Sequence, residues 1–201
     1  FIDAHIHGVC GIDALDEGEA VQRMASALPA FGVTAFCPTT VACAPDDLRR
    51  VLAQVARHRE TPAPASARVL PAHLESNFIN PDYRGAQDVS CLRTCDGLPA
   101  GTAIDATRRG GAFTAADLLA VIAAHARDIA IVTVAPDIWG GIALIERLAG
   151  LGLRVSLGHS GATVEEALAA VAAGARGATH LFNRMPPLHH RAPGIAGALL
   201  Q

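Results

Sequence analysis

The sequence predicts an α/β fold built on a parallel β-sheet, and three observations support that class. Short runs of β-branched and apolar residues alternate with longer stretches rich in alanine and leucine, as in repeated strand–helix units. Several of the alanine-rich stretches start at a helix-capping residue and stop at a glycine. Hydrophobic residues make up 51% of the 201 residues, which is enough to bury a substantial core. The chain is therefore expected to be folded rather than disordered.

Six strand–helix units can be followed in chain order. Strands are predicted at residues 1–8, 33–40, 68–75, 130–135, 154–158 and 177–182. Helices are predicted at about residues 17–30, 45–58, 114–126, 141–149 and 163–174. Pro45 suits the first turn of its helix, and the pairs Thr114 with Asp117 and Thr163 with Glu166 match the capping-box pattern. Residues 76–111 form a long predicted loop, which in a compact domain usually covers a site, and the chain after residue 182 is predicted to be loop almost to its end.

Six units are too few to close the common eight-stranded TIM-type (β/α)8 barrel. No shift in composition along the chain indicates a second domain. We therefore predict a single incomplete barrel domain over residues 1–201, in which the last strands of the barrel are missing.

Composition excludes several kinds of function. The formal net charge of -3 and the pI of about 6.3 leave no basic surface for a nucleic acid partner. No apolar run approaches the roughly 20 residues that cross a bilayer, and no charged-then-apolar leader precedes the first strand, so we expect a cytoplasmic protein without a membrane partner. The odd number of cysteines, five, indicates free thiols. The chain has no lysine, which excludes a Schiff base or a lysine-bridged metal pair within these residues.

A pair of histidines, His5 and His7, lies near the carboxyl end of the first predicted strand. Because side chains alternate along a strand, the two imidazoles share a face about 7 Å apart and can converge on one ion. Barrel enzymes place their chemistry at this end of the strands. Taken alone, the pair fits equally well with two buried histidines that are satisfied by hydrogen bonds.

Three later residues strengthen the metal interpretation. Glu75, His159 and His180 lie at or just before the carboxyl ends of the third, fifth and sixth predicted strands, so a barrel would gather them at one mouth. A carboxylate with several imidazoles suits a divalent ion such as zinc, iron(II) or manganese, and leaves a position for water. Such an ion activates water and polarises a carbonyl, which is hydrolytic chemistry. His73 shares the face of Glu75 one pitch deeper and is expected to be structural, while Ser160 lacks the spacing of a nucleophile elbow.

Several motifs, in order along nearly the whole chain, resemble N-acetylglucosamine-6-phosphate deacetylases of the amidohydrolase superfamily. They are Phe1-Ile2-Asp3-Ala4-His5-Ile6-His7-Gly8 with Gly11-Ile12-Asp13, the second strand up to Thr40, His73-Leu74-Glu75, Phe78-Ile79-Asn80-Pro81, Gly85-Ala86, the fourth strand up to Asp137, Ser156-Leu157-Gly158-His159-Ser160, Thr179-His180-Leu181-Phe182-Asn183, Met185, His190-Arg191 and Pro193-Gly194.

The resemblance implies a metal-dependent hydrolase of amino sugar catabolism. Glu75, His159 and His180 would hold the principal ion, zinc as the first choice, and His5 and His7 a second ion in members that carry two. Activated water would attack the acetyl group of N-acetylglucosamine 6-phosphate, giving glucosamine 6-phosphate and acetate. The positions that resemble substrate contacts are Gln87, Asn183, Arg184 and Arg191, with the planar fork of Arg191 suited to the 6-phosphate.

The same resemblance implies a homodimer, a general acid/base aspartate beyond residue 201, and a small β-sandwich that these residues lack, so the 201 residues alone are expected to be inactive. Some positions depart from the family's usual residues: Ser76-Asn77 stands for Gly-Pro, Gln87 for histidine, Arg184 for a small residue and Ala192 for glutamate. These departures leave open a related N-acyl hexosamine phosphate as substrate, or an inactive sugar-phosphate binder. A dihydroorotase-like or hydantoinase-like enzyme is disfavoured, because residues 130–135 contain no lysine.

Overall fold

A parallel β-sheet with helices packed on it forms the body of the structure, a computed structural model that describes residues 1–95 and 113–201. The strands are β1 (Ile2–Ile6), β2 (Gly8–Val9), β3 (Ile12–Asp13), β4 (Ala35–Thr40), β5 (Arg68–Val69), β6 (Ala72–Glu75), β7 (Ile129–Val134), β8 (Arg154–Leu157) and β9 (Ala175–Ala178). The helices are α1 (Ala20–Ala27), α2 (Pro45–Glu60), α3 (Ala115–Ala124), α4 (Gly141–Gly150), α5 (Val164–Ala172) and α6 (Gly194–Leu199). Short 3-10 turns occupy Leu28–Phe31, Pro81–Tyr83, Val89–Cys91 and Ala126–Asp128.

The order of the sheet follows the order of the chain. The path runs β1-β4-β6-β7-β8-β9, every neighbouring pair is parallel, and β5 extends the β6 side of β4. A strand that always pairs with the next one through a helical crossover is the construction of a βα barrel. The predicted α/β class, with six strands of a partial TIM-type barrel, is therefore confirmed.

The helices are held on the sheet by one apolar face each. In α2, the buried residues Leu48, Val51, Leu52 and Val55 recur at the three- and four-residue spacing of a helix face. Burying a side chain of this size stabilises the fold by about 1.5–3 kcal/mol. Both predicted capping boxes are present, since Thr114 and Thr163 accept hydrogen bonds from the backbone N–H groups of Asp117 and Glu166, each at 3.2 Å.

Two strands differ from the sequence prediction. The third strand is split into β5 and β6, because Pro71 has no N–H to donate to a neighbouring strand. The sixth strand was expected at residues 177–182, but β9 ends at Ala178, so placing His180 within a strand was wrong. The left-handed φ values of His180 (32°) and Phe182 (75°) are incompatible with a strand.

Two small elements were not predicted at all. Residues 8–13 form the β2–β3 hairpin, with Cys10 and Gly11 at its tip in the left-handed region. Helix α6 stands where a loop was expected, because its glycines and the preceding Pro193 made the segment look irregular. Its residues Ile195, Ala196 and Ala198 are nevertheless buried, and α6 packs on α5.

The predicted loop of residues 76–111 crosses the carboxyl end of the sheet where it is described, and residues 96–111 of it lie outside the described part. Asn77 is buried there, and its side-chain amide donates to the carbonyl oxygens of Cys43 (2.8 Å) and Cys91 (2.7 Å). The loop thus lies against the candidate site, as its length indicated. Among the described residues, no helix combines the length and apolar character needed to span a membrane.

Candidate metal centre

The carboxylate of Glu75, at the carboxyl end of β6, is the meeting point of four imidazoles. Its Oε1 lies 2.8 Å from Nε2 of His159 and 2.8 Å from Nε2 of His180. Its Oε2 lies 3.2 Å from Nε2 of His7, and Nε2 of His5 is 3.6 Å from Oε1. Glu75 is only 3% exposed, so these contacts take place out of bulk water. The structure therefore brings together all five residues predicted as metal ligands.

The five residues form two ligand groups that share Glu75. In the first group, the donor atoms of His5, His7 and Glu75 all lie within 4.8 Å of one another, and the same holds for Glu75, His159 and His180 in the second group. The two histidine Nε2 atoms are 3.2 Å apart in the first group and 3.1 Å apart in the second. Ligands about 2.0–2.1 Å from a tetrahedral zinc lie about 3.3 Å from one another. The spacing of both groups fits such an ion.

The first group is positioned by β1 and the residue that follows it. His5 lies in β1 and His7 one residue beyond its end, both on one side of the extended segment, and the pairing of β1 with β4 shifts register between Asp3 and Ile6. Thr39 of β4 holds Ile6 and His7 in place. The Thr39 hydroxyl accepts a hydrogen bond from the backbone N–H of Ile6 at 2.9 Å, and its carbonyl oxygen lies 3.1 Å from Nδ1 of His7. A hydrogen bond at Nδ1 leaves Nε2 as the atom that faces Glu75.

The second group is positioned by loops. His159 and His180 follow β8 and β9 with φ values of 50° and 32°, a left-handed conformation that costs a residue with a side chain about 1–3 kcal/mol. Backbone carbonyls hold the outer ring nitrogens: Nδ1 of His159 lies 2.8 Å from the Tyr83 oxygen, and Nδ1 of His180 lies 3.2 Å from the Asn183 oxygen. A carbonyl only accepts, so each Nδ1 carries its proton and each Nε2 offers a lone pair, as in protein metal sites.

The electrostatics of the centre call for a cation. With Nδ1 protonated, the Nε2 lone pairs of His7, His159 and His180 point at an ionised carboxylate and at one another, which is repulsive unless a proton or a metal ion lies between them. Burial raises the pKa of Glu75, but when each facing Nε2 carries a proton, hydrogen bonds from His159, His180 and His7 outweigh burial and hold that pKa well below its usual range. Glu75 is therefore an anion at physiological pH. This donor set fits a divalent ion.

The histidines respond to Glu75 in different ways. The hydrogen bond to Glu75 raises the pKa of His180, and it also raises the pKa of His7 against the opposing effect of burial. Burial lowers the pKa of His5 despite the nearby carboxylate. Burial, together with the neighbouring His5, lowers the pKa of His73 to about 4.

His73 supports the site from below and does not join either group. Its Nδ1 lies 3.1 Å from the Ala4 carbonyl oxygen and its Nε2 lies 2.8 Å from the Thr133 hydroxyl, so both ring nitrogens are used. Its ring packs edge-on against His5 at 4.8 Å between centroids. These contacts agree with the expected structural role of His73, which stays a prediction.

The four predicted substrate contacts lie in different surroundings. Gln87 is buried, donates from Nε2 to Oε2 of Glu75 at 2.5 Å, and accepts at Oε1 from the Ala42 N–H at 2.6 Å. Arg184 is exposed, and a side chain on Gly85 would meet its Nε at 2.6 Å. Asn183 is exposed and is joined to His180 through its backbone. Arg191 is exposed and lines a cavity of about 340 Å³ beside the start of α5. Of these four residues, Gln87 is the one whose side chain forms a hydrogen bond to a predicted metal ligand in the described part of the chain.

One residue that orders the centre was not singled out from the sequence. Asp137, three residues beyond β7, accepts hydrogen bonds from Asn80 Nδ2 (2.7 Å), Ser160 Oγ (2.7 Å) and the Gly161 N–H (2.8 Å). It therefore ties the loop that carries His159 to the loops after β6 and β7. Its position just after a predicted strand is the signal that could have identified it. Ser160 is engaged by this carboxylate, consistent with its exclusion as a nucleophile.

Comparison with known proteins confirms the predicted resemblance. N-acetylglucosamine-6-phosphate deacetylase of Rattus norvegicus is 39% identical over 203 residues, which cover 99% of this chain and 45% of the relative. N-acetylgalactosamine-6-phosphate deacetylase of Escherichia coli O157:H7 is 31% identical over 199 residues, covering 98% of this chain and 48% of the relative. The chain thus spans about half the length of the curated relatives it matches. No protein-family model matches it.

Solved structures of N-acetyl-D-glucosamine-6-phosphate deacetylase are also similar to this chain. The crystal structure of N-acetyl-D-glucosamine-6-phosphate deacetylase from Mycobacterium smegmatis superimposes with a TM-score of 0.80 at 28% identity, covering 99% of this chain and 47% of that one. A mutant of that enzyme in complex with N-acetyl-D-glucosamine 6-phosphate matches equally well, with a TM-score of 0.80. The structural likeness extends over nearly the whole chain.

Proposed function

We propose that this chain supplies the metal-binding part of an N-acetylglucosamine-6-phosphate deacetylase. Nearly the whole chain is similar to a stretch that makes up a little under half the length of such relatives. The reaction is hydrolysis of the acetamide of N-acetylglucosamine 6-phosphate to glucosamine 6-phosphate and acetate. Residues 1–201 are then one incomplete amidohydrolase barrel domain, and the general acid/base aspartate comes from another part of the protein. The observation that carries the proposal is the shared carboxylate of Glu75 between two pairs of imidazoles.

The ligand roles follow from the donor atoms. Glu75, His159 and His180 would hold the principal ion, and His5 and His7, together with Glu75, would hold a second ion. When bound, the ions activate water and polarise the acetyl carbonyl. The carbonyls of Thr39, Tyr83 and Asn183 orient three of the imidazoles so that their Nε2 lone pairs face the ions. Zinc suits this mixture of nitrogen and oxygen ligands, and iron(II) and manganese are the alternative ions.

The substrate side of the proposal rests on the exposed loop after β9. Asn183 and Arg184 lie within four residues of His180, on the exposed loop that carries this ligand. Arg191, beside the cavity at the start of α5, is the candidate partner for the 6-phosphate, since its planar fork matches phosphate oxygens. The partner is a small amino sugar phosphate, and we place the enzyme in the cytoplasm as a homodimer by its likeness to the family.

A second substrate has a specific observation in its favour. The Escherichia coli relative is named for N-acetylgalactosamine 6-phosphate, a sugar that differs from the first only in the orientation of the 4-hydroxyl. Gln87 stands where the resemblance leads us to expect a histidine, so the acyl sugar phosphate accepted here can differ from that of the glucosamine enzymes.

Acetate release from the two sugar phosphates tests the proposal. The intact protein, loaded with zinc and then treated with a chelator, is assayed on N-acetylglucosamine 6-phosphate and on N-acetylgalactosamine 6-phosphate, with unphosphorylated N-acetylglucosamine as the control substrate. We expect acetate from one or both phosphorylated sugars, loss of release on chelation and recovery on adding zinc. Binding of zinc and sugar phosphate without any acetate release would refute the deacetylase and leave a sugar-phosphate binder.

A further inference from the structure

Gln87 joins two loops and ends on the carboxylate of the centre. Its Oε1 accepts from the N–H of Ala42, in the loop after β4, and its Nε2 donates to Oε2 of Glu75. The side chain is only 5% exposed, so neither bond competes freely with water. The amide is therefore held at both ends.

The two oxygens of Glu75 consequently have different surroundings. Oε1 has two imidazole nitrogens of the second ligand group at 2.8 Å and, farther away, Nε2 of His5 from the first group at 3.6 Å. Oε2 has Nε2 of His7 at 3.2 Å and the amide of Gln87 at 2.5 Å. Within the described part of the chain, the other side-chain partners of this carboxylate are imidazole nitrogens, which can bind a metal ion. The amide nitrogen of Gln87 is a hydrogen-bond donor that does not bind one.

We propose that Gln87 is a positioning residue: it holds the plane of the Glu75 carboxylate so that Oε2 faces His7 of the first ligand group while Oε1 faces His159 and His180 of the second. The inference rests on the proposed metal centre and goes beyond it by assigning a role to a residue that departs from the family. An amide N–H always donates, carries no charge and does not lose its proton near neutral pH. It can take one lone pair of Oε2 and leave the other for an ion.

This role predicts a selective effect on metal binding. Loss of a hydrogen bond to a ligating side chain typically weakens metal affinity about 10–100-fold. Because the bond is to Oε2, the ion of the first group loses its oriented ligand, while Oε1 remains fixed by the geometry of the second group. If Gln87 only anchored the loop, its replacement would weaken the binding of both ions equally or of neither.

The test is a cobalt(II) titration of the metal-free intact protein, followed by the visible absorption of the bound ion. Gln87→Met keeps the length of the side chain and removes both hydrogen bonds, and His7→Ala identifies which binding step belongs to the first group. We expect Gln87→Met to weaken the first-group step about 10–100-fold and the second-group step by less than about threefold.

Gln54→Met is the matched control. Gln54, in α2, is also a buried glutamine, and its Oε1 accepts from the backbone N–H of Val21 at 3.1 Å. Unlike Gln87, it does not contact Glu75, and its Nε2 has no hydrogen-bond partner in the described part of the chain. The same substitution there removes a comparable bond, so we expect lower thermal stability with both cobalt steps unchanged. Gln87→His retains an N–H donor and should keep the first-group step within about threefold of the parent protein.

The outcomes separate this inference from the proposed function. Equal weakening of both steps in Gln87→Met, no weakening, or a loss in Gln87→His as large as in Gln87→Met would overturn the positioning role. A parent protein that binds a single cobalt ion would also overturn it and leave the deacetylase proposal standing. A parent protein that binds no ion would refute the metal centre itself.

Discussion

The two ligand groups present the same kind of donors to one carboxylate, but they are built in different ways. His5 lies in β1 and His7 directly after it, and the alternation of an extended segment places both rings on one side. His159 and His180 stand in loops with left-handed backbone conformations; the carbonyl partner of His159 comes from another turn, at Tyr83, and that of His180 from its own loop, at Asn183. An extended segment supplies a ligand pair by its period, whereas each loop ligand depends on an unusual backbone conformation of its own.

Replacing Glu75, the ligand that both groups share, should have the largest effect on metal binding. Glu75→Gln keeps the shape of the side chain and removes the charge that both groups need, so we expect both ions to be lost. The loss of affinity should exceed the roughly 100-fold effect of losing a supporting hydrogen bond. Metal content after dialysis against micromolar zinc measures this, and Glu146→Gln on the exposed face of α4 is the surface control. An ion retained at either group would show that the groups do not depend on a common carboxylate.

Loosening the loops should separate the two groups. Asp137→Ala removes the acceptor for Asn80, Ser160 and the N–H of Gly161 beside His159. Each donor left unsatisfied by such a change costs about 1–3 kcal/mol when buried, so the unfolding temperature should fall. The second-group cobalt step should weaken while the first-group step stays near its parent value. An equal effect on both steps would contradict the idea that the loops hold only the second group.

Changing the pH should affect both groups in the same direction. The pKa values of His7 and His180 are raised above 6.5 in the metal-free fold, so their protonated forms stabilise it below about pH 6.5, and this contribution is lost as the pH rises through the raised values. Zinc binds the deprotonated rings and so gains affinity over the same range. We expect the difference in unfolding temperature between zinc-loaded and chelator-treated protein to grow from pH 6 to pH 8. A constant difference would mean that neither histidine meets an ion.

The smallest expected effect lies away from the centre. Thr163→Ala removes the side-chain cap of α5, which costs about 1 kcal/mol of folding free energy. Both cobalt steps should remain at their parent values, and urea unfolding measures the change in stability. A matching loss from Thr114→Ala in α3 would show that the cost is that of a helix cap. A change in metal affinity in Thr163→Ala would show instead that α5 helps to hold the loop of His159.

Elements with a strong local period were predictable from the sequence. The strands read from β-branched runs and the helices read from capping residues lie within a few residues of their predicted places, and Glu75 ends its strand as expected. The exact place of His180 was not predictable, because its left-handed conformation combines a local turn to Asn183 with a tertiary contact to Glu75. The contacts of Gln87 and Asp137 likewise join segments far apart in the chain, and no local pattern encodes such pairs.

The amide of Asn77 has a consequence for how this edge of the molecule opens. The side-chain amide donates to the carbonyl oxygens of Cys43 and Cys91, while the backbone carbonyl of Asn77 accepts from the N–H of Arg93. The guanidinium of Arg93 in turn donates to the Phe113 oxygen at 3.0 Å. Segments joined in this way unfold locally as one cooperative unit. The backbone amides of Ala42 and Arg93 should therefore exchange their hydrogens with deuterated solvent at a common rate, although they lie on different loops.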